Sequence, residues 1–260
     1  MLTLGHGIEE RMMRVAVVEN MPNTHIGALG TALAEAGATI DWYRPWSDGA
    51  LPAGPEAYDA LVVLGGEQSA ADDADYPYLP ALAALMRSYG DAEKSVLGIC
   101  LGSQVLARGY GGENILNGTR EFGWKPVDVT GEGRADPLFE DLGDAFPIFE
   151  WHSDTFTLPA GSVRLASTEA VPNQCFRIGR AVYGAQFHFE ADSSVVDRWN
   201  VEFRELAEVL EPGWHERFPQ TSARYSADAD RAGLALARAF VRTIRPSVEA
   251  QDAADSRLSA

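Results

Sequence analysis

Apolar residues in the first hundred positions fall in short runs, separated by stretches of helical period. Arg14-Val15-Ala16-Val17-Val18-Glu19 is the first run. Thr39-Ile40-Asp41-Trp42-Tyr43, Ala60-Leu61-Val62-Val63-Leu64 and Val96-Leu97-Gly98-Ile99 follow. Continuous apolar runs of this length read as buried parallel strands, because a strand covered on both faces has no polar side to show. Between them, 26–36, 79–89 and 101–108 read as helices. Gly37 closes the first as a C-cap. Pro45, Pro52 and Pro55 mark a loop after the second strand.

The second half is less regular. Residues 126–129, 147–149 and 164–166 read as short strands. Residues 174–177 and 181–186 form a hairpin pattern around Gly179-Arg180. Helical periodicity returns over 193–210 and 227–244. Strands alternating with helices imply right-handed crossovers. The expected architecture is α/β: a single domain with a mostly parallel central sheet and helices on both faces. Residues 1–12 read as a disordered leader and 246–260 as a disordered tail. They flank one domain over 13–245, whose 190–245 part is helical. No internal repeat or linker interrupts it.

Composition narrows the function. The formal net charge is −17 over 260 residues. Such a surface repels phosphate backbones and anionic lipids, which argues against nucleic-acid and membrane partners. No run approaches the ~18 apolar residues of a membrane helix. No signal peptide is visible, and Glu9 and Glu10 interrupt the N-terminus. The only cysteines are Cys100 and Cys175, fewer than a secreted disulfide scaffold carries, so a reducing cytoplasm is expected. The five histidines (His6, His25, His152, His188 and His215) show no metal-ligand spacing, and the reading calls for no metal and no cofactor.

The densest chemical signal is Gly98-Ile99-Cys100-Leu101-Gly102, the cysteine form of the G-x-S-x-G nucleophile elbow. A strand that turns sharply into a helix forces its apex residue into strain and brings the positions two before and two after close together. Glycine fits both. The apex sulfur then sits at a helix N-terminus, where free N–H groups favour the thiolate, the attacking species. Taken alone, Cys100 reads equally as a small buried hydrophobe. The flanking strand, helix and glycines decide for function. Cys175 lacks that setting and reads as filler.

A thiolate needs a histidine to exchange its proton, and that histidine needs an orienting partner. In Gln186-Phe187-His188-Phe189-Glu190 a strand end presents His188, with Glu190 two residues on. In an extended chain these two point the same way. His152, in Trp151-His152-Ser153-Asp154, is the rival base; it also suits a pocket wall or a turn cap. An oxyanion needs preorganised N–H donors. Leu101, directly after the nucleophile, supplies one. Gly65-Gly66, at another strand end, is either the second or an ordinary tight turn. The small polar stretch 67–73 suits a loop over a site.

Leu64-Gly65-Gly66, the Cys100 motif extended through Ser103-Gln104, and the His188 motif occur in an order that resembles the class I glutamine amidotransferases. The nearest likeness is to the glutaminase domain of GMP synthase and its stand-alone relatives. Glu121-Phe122-Gly123-Trp124 and Trp151-His152-Ser153-Asp154 look like the same subgroup. The resemblance covers about Arg14 to Glu190. It implies a flavodoxin-like fold, a Cys100–His188–Glu190 triad and an oxyanion hole at Gly66 and Leu101. It further implies substrate contacts at Gly65 and Gln104, with His152, Ser153 and Asp154 at the amino-acid end. Two departures stand out. Glu67 occupies a position where many relatives carry proline, serine or another small residue. Only 70 residues follow Glu190, too few for an ATP-binding acceptor domain, and no GxxxxGK[ST] loop is present.

Three functions follow. The first is hydrolysis of the γ-amide of glutamine through a γ-glutamyl thioester on Cys100, with ammonia passed to a separate synthetase subunit. The second is a stand-alone hydrolase or peptidase acting on other γ-glutamyl amides. The third is a non-enzymatic binding or redox-sensing relative of the same fold.

Overall fold

The computed structural model describes residues 12–245; the expected tail, and all of the expected leader except Met12, lie outside this range. The first half comprises β1 (Arg14–Val18), α1 (Gly27–Glu35), β2 (Thr39–Tyr43), α2 (Pro45–Asp48), β3 (Ala60–Val63), α3 (Leu79–Asp91), β4 (Ser95–Ile99) and α4 (Leu101–Gly109). The strands of the second half are β5 (Asn114–Ile115), β6 (Glu121–Val129), β7 (Ala145–His152), β8 (Thr155–Phe156), β9 (Val163–Ser167), β10 (Cys175–Ile178) and β11 (Val182–Ala185). Its helices are α5 (Gly131–Arg134), α6 (Ser193–Glu202), α7 (Arg204–Leu210) and α8 (Trp214–Thr243). A short 3₁₀ turn spans Pro137–Phe139.

One sheet runs in the order β2-β1-β3-β4-β11-β10-β9-β6-β7. The strands from β2 to β11 are parallel neighbours. From β11 to β7 every pairing is antiparallel, so the parallel core carries an antiparallel flank. Side chains alternate across the sheet and build two cores. Val15, Val17, Ala60, Val62, Leu97 and Ile99 pack on the face covered by α1 and α8. Ala16, Val18, Leu61, Val63 and Val96 pack on the other face, against α3 and α4. Burial on both faces explains why these strands read as unbroken apolar runs.

α3 buries Leu79, Leu82, Ala83, Met86 and Tyr89, the spacing of one helical face. The apolar face of α8 approaches the sheet so closely at Gly233 that an added Cβ would stand 2.4 Å from the Phe189 carbonyl. On the α1 side, the Ala28 amide donates to the Glu190 carbonyl at 2.9 Å. The chain between His188 and Glu190 is thereby held by both helices.

Several elements differ from their sequence outlines. The 193–210 helix is two helices that meet at Phe203, where ψ is 31° and the ring packs edge-on against Trp151 at 5.4 Å. β6 and β7 are longer than the patterns around 126–129 and 147–149. α8 begins at Trp214 rather than 227, although Pro219 lies within it. Its first turns are held by aromatic contact instead of an aliphatic stripe. Trp214 meets Phe122 at 4.9 Å and Phe149 at 6.2 Å, while Phe218 stacks on Trp124 at 5.9 Å. Among the described residues no helix is long and apolar enough to cross a membrane.

Trp214 is 4% exposed and joins α8 to the antiparallel flank. Trp214→Ala is expected to lower unfolding free energy by about 3–5 kcal/mol in urea titration. Val201→Ala, at a position 74% exposed, is expected to stay within about 0.5 kcal/mol of the parent.

Candidate active site

Register decides what meets what. β3, β4 and β11 are adjacent and parallel, with Val63 opposite Gly98 and Ala185 opposite Ile99. Their carboxyl ends, where open α/β sheets gather reactive groups, carry Gly65-Gly66, Cys100 and His188. The Cys100 amide donates to the Ala185 carbonyl at 2.8 Å, fixing the height of the sulfur relative to β11. Three residues beyond Ala185, the His188 amide donates to the Phe149 carbonyl at 2.9 Å, and this isolated bridge brings β7 alongside.

Cys100 is the cap residue of α4, with φ 52° and ψ −110°, a conformation that non-glycine residues rarely adopt. The flanking glycines are required by contact. A Cβ on Gly98 would stand 2.3 Å from the Gly102 carbonyl oxygen, and one on Gly102 would stand 2.1 Å from that of Val63. Leu101 opens α4, so its N–H belongs to the free first turn of the helix.

His188 and Cys100 both abut Gly65. A Cβ placed on that glycine would lie 3.2 Å from His188 Cε1 and 3.5 Å from Cys100 Cβ. His188 Nδ1 donates to Glu190 Oε1 at 2.7 Å, which fixes the ring and leaves Nε2 for the sulfur. Burial opposes a charge on the His188 ring. The attraction of Glu190 and Cys100, with hydrogen bonds to both, overcomes it and raises the pKa well above the usual histidine value. The Cys100 thiol donates to the Trp151 carbonyl at 3.6 Å.

His152 lies elsewhere in the same pocket wall. Nδ1 donates to the Asp154 carbonyl at 3.0 Å, and Nε2 faces Glu121 at 3.2 Å and Glu150 at 3.4 Å. Both nitrogens therefore have partners other than the sulfur, whereas His188 has a carboxylate partner at Nδ1 alone. Burial disfavours the charged His152 ring, but the two carboxylates outweigh it and raise its pKa to about 10. Burial pushes the Glu150 carboxyl up. Beneath this ring Glu121 accepts from Thr168 at 2.9 Å and Gln174 at 2.6 Å. Glu121, Glu150 and His152 could each offer one metal-ligand atom, all within 4.8 Å, a grouping no sequence spacing reveals. Hydrogen bonds already occupy both Glu121 oxygens.

The cavity is about 330 Å³ and takes in every site residue expected from the sequence: Gly65, Gly66, Cys100, Leu101, Gln104, His152, Ser153, Asp154, His188 and Glu190. Gln104 Nε2 donates to the Asp154 carbonyl at 3.1 Å and Gln186 Oε1 at 3.3 Å, tying α4 to the 152–154 segment. The exposed Glu67 stands at the rim. Cys175 is fully buried, away from the cavity, and burial pushes its thiol pKa well up.

Sequence reasoning missed two supports. Asn20 donates to the Leu64 carbonyl at 2.7 Å, while Gln68 donates to the Asn20 carbonyl and to Tyr78, bracing the Gly65-Gly66 loop. It also missed the wall built by Trp199, Phe203, Leu206 and Leu210. Their periodicity signalled only a helix, and core packing is its ordinary reading.

The glutamine amidotransferase class-I family model matches residues 21–204. The chain belongs to that family. It is 32% identical over 188 residues to the glutamine amidotransferase-like protein YfeJ of Salmonella typhimurium LT2, covering 71% of this chain and 79% of that one. It is 32% identical over 143 residues to the glutamine-hydrolyzing GMP synthase of Christiangramia forsetii, covering 54% of this chain and only 26% of that larger protein. Among solved structures, a Thermotoga maritima glutamine amidotransferase superposes with TM-score 0.77 at 25% identity, over 91% of this chain and all of that one. The fold of a Methylobacillus flagellatus glutamine amidotransferase matches with TM-score 0.79 at 24% identity, over 92% of this chain and 98% of that one.

The folded state keeps a proton on His152 up to about pH 10, whereas an unfolded histidine releases it near pH 6.5. The stability this proton contributes is complete below about pH 6.5 and is lost as pH rises through about 10. Urea unfolding at pH 6 and pH 10.5 is expected to show a loss of a few kcal/mol in the parent. The loss is expected to be smaller in His152→Gln.

Proposed function

We propose that the chain hydrolyses the γ-amide of glutamine through a γ-glutamyl thioester on Cys100. The observation that carries this reading is the juxtaposition of a positive-φ cysteine at the start of α4 with a buried histidine paired to Glu190. The sulfur attacks the γ-carbonyl carbon, and the carbonyl oxygen takes up negative charge. The N–H groups of Gly66 and Leu101 are the donors suited to that oxyanion. As the C–N bond breaks, His188 delivers a proton to the nitrogen and the amine departs. Water then attacks the thioester, giving its proton to His188. Glutamate leaves, and the thiol is restored. Glu190 holds the imidazole in the useful tautomer and stabilises its charged form.

Gln104, Ser153 and Asp154 suit the amino-acid end of the substrate. His152 acts beneath them by holding the 152–154 backbone. The likeness to GMP synthases supports a separate synthetase subunit as the acceptor of released ammonia. Both cysteines are free, which suits a cytoplasmic setting. Release of the amine to solvent from a larger γ-glutamyl amide uses the same intermediate and differs only in the leaving group.

Glutamate release from glutamine by the purified chain tests this reading. Cys100→Ala is expected to abolish it. His188→Ala is expected to lower kcat by about 10⁴-fold or more, and Glu190→Gln by less, since Glu190 only orients and stabilises. Undiminished turnover in Cys100→Ala would overturn the proposal.

A further inference from the structure

We infer that the leaving-group side of the cavity receives an apolar substituent, so that the substrate class extends to γ-glutamyl amides of apolar amines. This rests on the proposed roles of Cys100 and His188, and specifies the half of the substrate which that reading leaves open.

The direction follows from the proton. His188 Nδ1 is taken by Glu190, so Nε2 delivers the proton and the departing nitrogen lies within its hydrogen-bond reach. Whatever that nitrogen carries must run along the surface beside His188. That surface is aromatic. Trp199 meets the His188 ring edge-to-face at 5.2 Å, and Trp151 meets Trp199 at 5.6 Å. Phe203, Leu206 and Leu210 continue the lining. The residues suited to the amino-acid end, by contrast, are polar. A molecule that is zwitterionic at one end and apolar beyond the amide nitrogen matches this division.

Ammonia carries no substituent, and these side chains add nothing to its binding. Leu206 is 39% exposed although it lines the cavity, and a hydrocarbon on the nitrogen would cover it. The cavity of about 330 Å³ lies in the range that holds molecules larger than a single amino acid. On cleavage the C–N bond breaks, the nitrogen takes the proton from His188, and the apolar amine leaves towards the rim formed by α7.

Two amides of primary alkylamines test this, γ-glutamyl-hexylamide and γ-glutamyl-(2-hydroxyethyl)amide, with glutamine alongside. The hydroxyethylamine is the less basic leaving group, so a preference for the hexylamide runs against intrinsic reactivity. The expected result is a kcat/KM at least about tenfold higher for the hexylamide than for the hydroxyethylamide. Leu206→Asp, at the partly exposed rim, is expected to bring that ratio down towards one. A ratio near one in the parent, or one unchanged in Leu206→Asp, overturns this inference; turnover of glutamine in the same assay then leaves the Cys100 chemistry standing. Failure to cleave all three, with no adduct on Cys100 from an electrophilic glutamine mimic, removes both.

Discussion

The site depends on backbone contact at a single turn. β4 enters α4 through Cys100 so tightly that Gly98 and Gly102 touch each other and β3 with no room for a Cβ on either. That contact forces Cys100 into the positive-φ region and aims it at the end of the sheet where β3 and β11 also finish. The remaining geometry is set by register. With Ala185 bonded to the Cys100 amide, the chain beyond β11 can present His188 at one height only, and the bridge to Phe149 holds it there. The strain at the apex is compensated by burial around it, since α4 is buried from Leu101 through Ala107.

Two buried histidines flank one pocket and are held by different partners. His188 is paired with one carboxylate through one nitrogen and keeps the other for the sulfur. His152 spends both nitrogens on the backbone and two carboxylates. Each ring is favoured in its charged form against the penalty of burial, and the proposed mechanism uses the nitrogen that His188 does not spend on Glu190. Partner count, not burial or basicity, is the ground on which His188 is proposed as the base and His152 as the brace. The Glu121–Thr168–Gln174 network under His152 ties the start of β6 to the segment between β9 and β10.

The parallel core was legible because burial on both faces leaves an unambiguous pattern: the runs at 14–19, 60–64 and 96–99 each became a strand, and the elbow motif carried its geometric reason in its glycines. The His188–Glu190 pairing was legible because the two residues lie two apart on extended chain. Features made by distant segments were not. Nothing near Glu121 signals that Glu150 and His152 will meet it, since the meeting depends on β6–β7 register. Trp199 packs in the core as its helical period suggests, yet with Phe203 it also lines the cavity, which period alone does not reveal. The early start of α8 was hidden because Trp214 and Phe218 hold it by aromatic contacts across the sheet, where an aliphatic stripe would have been visible in sequence.

The central claim is covalent: the γ-glutamyl group rests on one sulfur during turnover. Rapid acid quench of the enzyme working on glutamine, followed by mass mapping of its peptides, reads that state directly. The account predicts a γ-glutamyl group on the peptide containing Cys100 and none on the peptide containing Cys175. Steady turnover with the Cys100 peptide unmodified at every quench time, or with the label on another residue, would contradict it.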